Sequence, residues 1–184
     1  MQRQLEGLQR VLATLPKHLP VLEEAAKALV AALTAGHKLL ACGNGGSCAE
    51  AQHLVTELLG RYDRDRISLP AIYLGADAGL MSCIVNDYSF AHTFTRPLQA
   101  LGRRGDILIC FTTSGNSSNV VEALTLANQL GIRSLALLGK GGGPCRGLAT
   151  WEVIIDSNET ARVQEAHLFI LHWLCDQLDE AFCG

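Results

Sequence analysis

No stretch of this 184-residue chain runs for about 18 apolar residues without interruption, the length a helix needs to cross a bilayer. The start, Met1-Gln2-Arg3-Gln4-Leu5-Glu6, lacks the apolar core of a signal peptide. Positive charge is not in surplus. Lys and Arg number 15 against 18 Asp and Glu, a net charge of −3, so the basic footprint of a nucleic-acid binder is missing. Arg61, Arg64 and Arg66 do cluster, but Asp63 and Asp65 alternate with them, which reads as a solvated charged loop. The seven cysteines are an odd number with no CxxC spacing. Cys42 and Cys110 belong to apolar runs, where a thiol behaves as a small hydrophobe. That argues against a disulfide frame or a cysteine–zinc site and for a reducing cytoplasm. Nor is there a GxxxxGKS/T motif, since glycines follow Lys140, and Gly43-Asn44-Gly45-Gly46-Ser47-Cys48 lacks the last glycine of the dinucleotide fingerprint. The expectation is a cytoplasmic protein with no membrane or nucleic-acid partner, whose ligand is a small phosphorylated metabolite rather than a nucleotide.

What is present suits one globular domain over 1–184: 48% apolar residues and 18% charged. Leu5, Leu8, Val11 and Leu12 predict an amphipathic helix within 1–15, punctuated by Pro16 and Pro20; Val21, Leu22, Ala25, Ala28, Leu29, Ala32 and Leu33 predict a second over 20–35. Five short apolar runs follow, at 38–42, 71–75, 106–112, 133–139 and 151–156, with helical patterns at 47–59, 77–100 and 117–130 between them. A long helix over 160–182 ends the chain, with Val163, Leu168, Leu171, Leu174 and Leu178 as its apolar positions. Strands that alternate with helices, and that are apolar without a period of two, predict an α/β fold with a parallel sheet covered on both faces. Residues 1–35 are then a helical extension, and Gly139–Pro144 a flexible loop within the domain.

Ligands of open α/β sheets bind at the carboxyl ends of the strands. Two loops there carry chemistry. Gly43–Ser47 joins a strand to a helix N-terminus, where backbone N–H groups and the helix dipole favour an anion. Thr112-Thr113-Ser114-Gly115-Asn116-Ser117-Ser118 offers five hydroxyls at another helix start. Ordinary capping competes as an explanation, because Ser47-x-x-Glu50 and Asn119-x-x-Glu122 both resemble capping boxes. One cap accounts for one hydroxyl, however, and not for five. On the helix after the glycine turn, His53 and Glu57 form an i,i+4 pair and share a stripe with Glu50. Such a pair is usually a solvated face; its nearness to an anion loop makes it a candidate for acid–base chemistry. On the last helix Gln164, His167 and His172 stand among apolar residues, where a histidine is ordinarily a packing residue. Gln164 and His172 are about 80° apart around a 3.6-residue helix, so they share a side only loosely.

At this point the residues resemble a known family. Gly43-Asn44-Gly45-Gly46-Ser47, His53-Leu54-Val55-Thr56-Glu57-Leu58-Leu59-Gly60-Arg61-Tyr62, Asn86-Asp87, Thr112–Ser117 and Arg162-Val163-Gln164-Glu165-Ala166-His167 are similar, in this order over nearly the whole chain, to the sugar-isomerase (SIS) domain proteins and among them the phosphoheptose isomerases. The resemblance implies a flavodoxin-like α/β/α sandwich with a five-stranded parallel sheet, a homotetramer, and conversion of sedoheptulose 7-phosphate to D-glycero-D-manno-heptose 7-phosphate for lipopolysaccharide or other surface glycans. It implies substrate contacts at Asn44, Gly45, Gly46, Ser47, Glu57, Asn86, Asp87, Thr112, Thr113, Ser114, Ser117 and Gln164, with the hydroxyl loop taking the phosphate. Glu57 and His172 fall on catalytic positions. His53, Glu57, Gln164 and His172 fall on positions that hold zinc in some members, one ion per subunit. Thr112 stands where many members have serine, and Ala161 where some have an acidic residue, so an auxiliary carboxylate is missing there. The same fold implies an alternative, a non-catalytic sugar-phosphate sensor or replication-initiator-binding protein; relatives of that kind lack much of the His53/Glu57/His172 set.

Overall fold

The computed structural model describes residues 1–183. Five parallel strands, β1 (Leu39–Gly43), β2 (Ala71–Tyr73), β3 (Ile107–Thr112), β4 (Arg133–Gly139) and β5 (Trp151–Ile155), lie in the order β2-β1-β3-β4-β5. This is the flavodoxin-like order, in which the chain winds outward in opposite directions from the β1/β3 boundary and leaves a crevice at the strands' carboxyl ends. Leu39 pairs with Ile107 and Gly43 with Phe111 across that boundary. The loops after β1 and β3 therefore emerge side by side.

The missing period of two follows from burial on both faces. Leu39, Ala41, Ile107, Ile109, Phe111, Leu135 and Leu137 point into one apolar layer, and Leu40, Cys42, Leu108, Cys110, Ala136 and Leu138 into the other. Each fully buried leucine contributes roughly 1.5–3 kcal/mol relative to exposure. The first layer is closed by α1 (Gln2–Leu12), α2 (Leu19–Thr34), α3 (Gly46–Leu59) and α7 (Thr160–Phe182); the second is closed by α5 (Thr95–Leu101) and α6 (Ser118–Leu130), with Ile84 of α4 (Ala78–Asp87) buried nearby. None of the helices described is long and apolar enough to cross a membrane.

Three sequence readings need correction. The single helix expected over 77–100 is broken into α4, a 3-10 turn at Phe90–His92 and α5. Ser89 is fully extended (φ −170°, ψ 168°), and Pro97 is tolerated because it stands in the first turn of α5, where its missing N–H is not needed. The charged loop at 61–66 is not wholly solvated: the Arg66 side chain is buried against Asp179 of α7. Gly139–Pro144 is not loose either. Cys145 N donates to Gly115 O at 3.1 Å, and Lys140 Nζ donates to Thr160 Oγ1 at 2.9 Å, so this loop buttresses the one after β3.

Candidate active site

At the β1/β3 crevice lies a cavity of about 170 Å³. Its walls include Asn44, Gly46 and Ser47 from the glycine turn, Thr112, Thr113, Ser114 and Ser117 from the hydroxyl loop, and Gln164 from α7. Eight of the residues singled out from the sequence thus share one cavity. Phe111 and Thr160 also line it and were not anticipated. Thr160 opens α7 and faces the Lys140 ammonium, a pairing that the 20-residue separation conceals.

Local geometry explains the walls. Gly45 sits at φ +56°, a region L side chains rarely adopt, and it turns β1 into α3. Gly46 lets the Gln164 amide lie close against the turn, since a Cβ there would overlap it and push that side chain aside. Neither capping box forms. Gly45 is the residue before α3, and Ser47 lies within it. Asn119 lies inside α6 and is fully buried; it exchanges two 2.9 Å hydrogen bonds with Asn44 and donates a third to Thr93 Oγ1 at 2.9 Å. The Asn44 amide therefore fixes the glycine turn to α6. Ser117 is the N-cap of α6 by position, yet its hydroxyl makes no capping bond. It lies 3.3 Å from Thr112 Oγ1, while Gly115 N donates to Thr112 Oγ1 and Asn116 N to Ser114 Oγ, each at 3.2 Å. The Thr112, Ser114 and Ser117 hydroxyls are thus held by one another or by backbone N–H groups, on residues that line the cavity.

A second cluster lies further along the same two helices. His53 Nε2 is 3.0 Å from Glu57 Oε1. The His172 ring meets the His53 ring edge-on at 5.1 Å between centroids, and Tyr62 stacks on His172 at 5.7 Å. Glu57 and His172 are thus brought together within one chain. Burial lowers the His172 pKa, and so does the neighbouring His53, while Glu57 opposes them; the net direction favours the neutral ring. Tyr62 is a member that sequence reasoning overlooked. The end of α3 supports the cluster: Arg66 donates to Glu57 O at 2.7 Å and to Leu58 O at 3.0 Å.

The remaining candidates lie elsewhere. Gly45 shapes the turn but does not line the cavity. Asn86 and Asp87 end α4 on the exposed surface, where Asn86 Nδ2 donates to Asp87 Oδ1 at 2.8 Å. Hydrogen bonds from Asn86 and from the Cys83 thiol keep the Asp87 carboxyl below its usual pKa. The zinc expectation came from the family resemblance, and the donor set of two imidazoles, a carboxylate and an amide is compatible with that ion. Among the described residues, no three His, Cys, Asp or Glu side chains gather into a metal-holding group, and His53 is turned toward Glu57. As they stand, these side chains do not form a cage for the ion.

Comparison with known proteins places the chain. The SIS domain family profile matches residues 5–139. The phosphoheptose isomerase of Campylobacter concisus is 42% identical over 184 residues, covering 100% of this chain and 97% of the relative. The chain belongs to the phosphoheptose isomerase family. As a member of this family it is an isomerase. The family's phosphoheptose isomerase from Alteromonas mediterranea is 44% identical over 182 residues, covering 96% and 90% of the two chains. The solved phosphoheptose isomerase of Francisella tularensis superposes with a TM-score of 0.89 at 36% identity, covering 97% and 94%.

Proposed function

We propose that the protein interconverts sedoheptulose 7-phosphate and D-glycero-D-manno-heptose 7-phosphate through a cis-enediol. The observation that carries this reading is the placement of the Glu57/His172 cluster on α3 and α7, the two helices whose first turns help to wall the hydroxyl-lined cavity. The names of the family relatives support the seven-carbon phosphate.

In this mechanism Thr112, Thr113, Ser114 and Ser117 take the phosphate through hydroxyl donors, without a lysine. Asn44, Gly46, Ser47 and Gln164 hold the sugar. Interchange of ketose and aldose moves one proton between C1 and C2. The Glu57 carboxylate removes the carbon proton and returns it to the neighbouring carbon, while neutral His172 passes a proton between the two oxygens. His53 aims the carboxylate, and Tyr62 aims the imidazole. No step is routed through zinc. Quantification of metal in the purified chain tests that ligand set: one equivalent of zinc, lost on substitution of His53, would add the ion to the site.

The apolar outer surfaces of α1, α2 and α7 support assembly into a homotetramer, and the product is proposed to feed heptose-containing surface glycans. An assay of purified protein against sedoheptulose 7-phosphate and other ketose phosphates tests the reading. Turnover of the seven-carbon sugar, abolished in Glu57→Gln and His172→Gln, is expected. A folded protein that turns over none of them would point to the non-catalytic alternative.

A further inference from the structure

Between the cavity and the His53/Glu57/His172 cluster lies a buried polar pair that neither uses. The helices α3 and α7 run in parallel, in register at three levels. At one end Gly46 meets Gln164, and at the other the His53 ring meets that of His172. At the middle level Glu50 Oε2 faces His167 Nδ1 at 4.0 Å. Glu50 is 6% exposed and His167 0%. Neither Glu50 oxygen has a hydrogen-bond partner at full bonding distance, the Ser47 hydroxyl being the nearest polar side-chain group, and His167 Nδ1 has none. Buried polar atoms of this kind call for an explanation, since leaving each unsatisfied costs about 1–3 kcal/mol.

Hydrogen-bond chemistry assigns the protons. His167 Nε2 lies 3.2 Å from Leu138 O. A carbonyl can only accept, so Nε2 carries a proton, and Nδ1 of the neutral ring is a bare lone pair. A carboxylate opposite that lone pair would repel it, whereas a carboxylic acid would donate to it. The other arrangement, imidazolium beside carboxylate, requires two ions to be desolvated with no further partner for the second carboxylate oxygen, and burial penalises that strongly. Burial indeed pushes Glu50 up to about 7, opposed in part by the Ser47 hydroxyl, and pushes His167 down to about 4, opposed by the Leu138 carbonyl. Among the described residues no other charge on these helices is available to Glu50. His53 and Glu57 bind each other, Arg162 and Glu165 bind each other at 2.7 Å, Arg162 packs against Gly7 of α1, and His172 lies against His53 and Tyr62.

We propose that Glu50 and His167 are a positioning pair for the isomerase site: Glu50, in its acid form, shares its proton with His167 Nδ1 and thereby sets the spacing of α3 against α7. The proton is shared after a small rotation of the Glu50 side chain or through one water, since 4.0 Å exceeds a direct hydrogen bond. The pair works through other residues. One turn toward the start of each helix lie Ser47 and Gln164 of the cavity; beyond it in the other direction lie Glu57 and His172. A neutral pair adds no negative charge behind a site that holds a phosphate. This inference rests on the isomerase reading for its kinetic arm but not for its spectroscopic one.

The test combines both arms. Glu50→Gln replaces the acid by an isosteric donor, so its kcat with the heptose phosphate stays close to that of the parent. Glu50→Leu removes the donor, and Glu50→Asp withdraws it by one carbon while keeping an ionisable group; kcat falls by up to about 100-fold in each, and KM rises as Ser47 and Gln164 shift. A Glu50→Gln variant as impaired as Glu50→Leu would overturn the proposal. Independently of turnover, and with no variant that needs to fold, 15N NMR of the His167 ring in the parent at neutral pH should show a protonated Nε2 and a bare Nδ1. An imidazolium, or a proton on Nδ1, overturns the pair even if the enzyme is fully active; absence of turnover with the expected tautomer would instead count against the substrate assignment.

Discussion

Arg66 Nε lies 2.9 Å from Asp179 Oδ1, with the two side chains 0% and 1% exposed. The other carboxylate oxygen accepts from the backbone N–H groups of Asp63 and Arg64 at 3.0 and 2.9 Å. One buried carboxylate on α7 therefore organises the loop that carries Tyr62 and the guanidinium that closes α3 behind Glu57.

Removing that carboxylate should be expensive. Asp179→Ala leaves the Arg66 charge buried and unpaired, and a loss of about 3–5 kcal/mol in denaturant unfolding at pH 7 is expected. Burial opposes ionisation of Asp179, but the two N–H donors and Arg66 outweigh it and hold its pKa below the ordinary 3.8. The stabilisation is thus present above that value and is lost as the pH falls through the folded-state pKa. The gap between parent and variant should narrow in acid; a gap of unchanged size down to pH 2 would mean that the ion pair is not its source.

The hydroxyl loop makes a separable prediction. Replacing a Ser N-cap ordinarily costs about 1 kcal/mol of stability. Ser117 caps by position alone and makes no capping bond, so Ser117→Ala should leave the melting curve almost unmoved. If its hydroxyl binds phosphate, a charge-assisted bond worth roughly 1.5–3 kcal/mol is lost, and KM for the sugar phosphate should rise at least tenfold. Loss of stability with unchanged KM would reverse the assignment and make Ser117 an ordinary cap.

These two regions show where the sequence was informative and where it was not. The strands, the sheet type and the two loops that wall the cavity were legible because buried apolar runs, glycine turns and hydroxyl clusters are local features. The helix expected over 77–100 failed on a local signal that was present, Pro97, which permits a helix to start near it but not to run through it. Arg66 and Asp179 are 113 residues apart, and Glu50 and His167 are 117 apart, so their pairing has no signature in neighbouring residues. Asn119 misled for a chemical reason. An Asn three residues before a Glu has the pattern of a cap, and nothing nearby reveals that its amide is spent on Asn44.

The outer apolar surface should mediate assembly. Leu12, Leu15, Leu19, Phe169 and Trp173 line a groove of about 250 Å³ between the N-terminal helices and α7, and Phe169 is 54% exposed. A charge at its rim would be desolvated on association. Light scattering of the parent is expected to give the mass of four chains, and Phe169→Asp a smaller species with unchanged circular dichroism. A parent of one-chain mass would exclude this assembly.

The Glu50/His167 pair also predicts an unusual dependence of stability on pH. His167 alone, with its pKa lowered from 6.5 to about 4, would contribute stability above pH 6.5 that is lost as the pH falls toward 4. Glu50 alone, raised from 4.5 to about 7, would contribute stability below pH 4.5 that is lost as the pH rises toward 7. Between pH 4.5 and 6.5 the folded pair holds one proton, on Glu50, and the unfolded chain also holds one, on His167. Equal proton counts mean no slope from the pair in that window. Glu50→Gln removes one side of the balance. Its stability should fall relative to the parent by about 3 kcal/mol as the pH is lowered from 6.5 toward 4. Urea unfolding across that range reads this directly, and superimposable parent and variant profiles would show that the two buried groups do not share a proton.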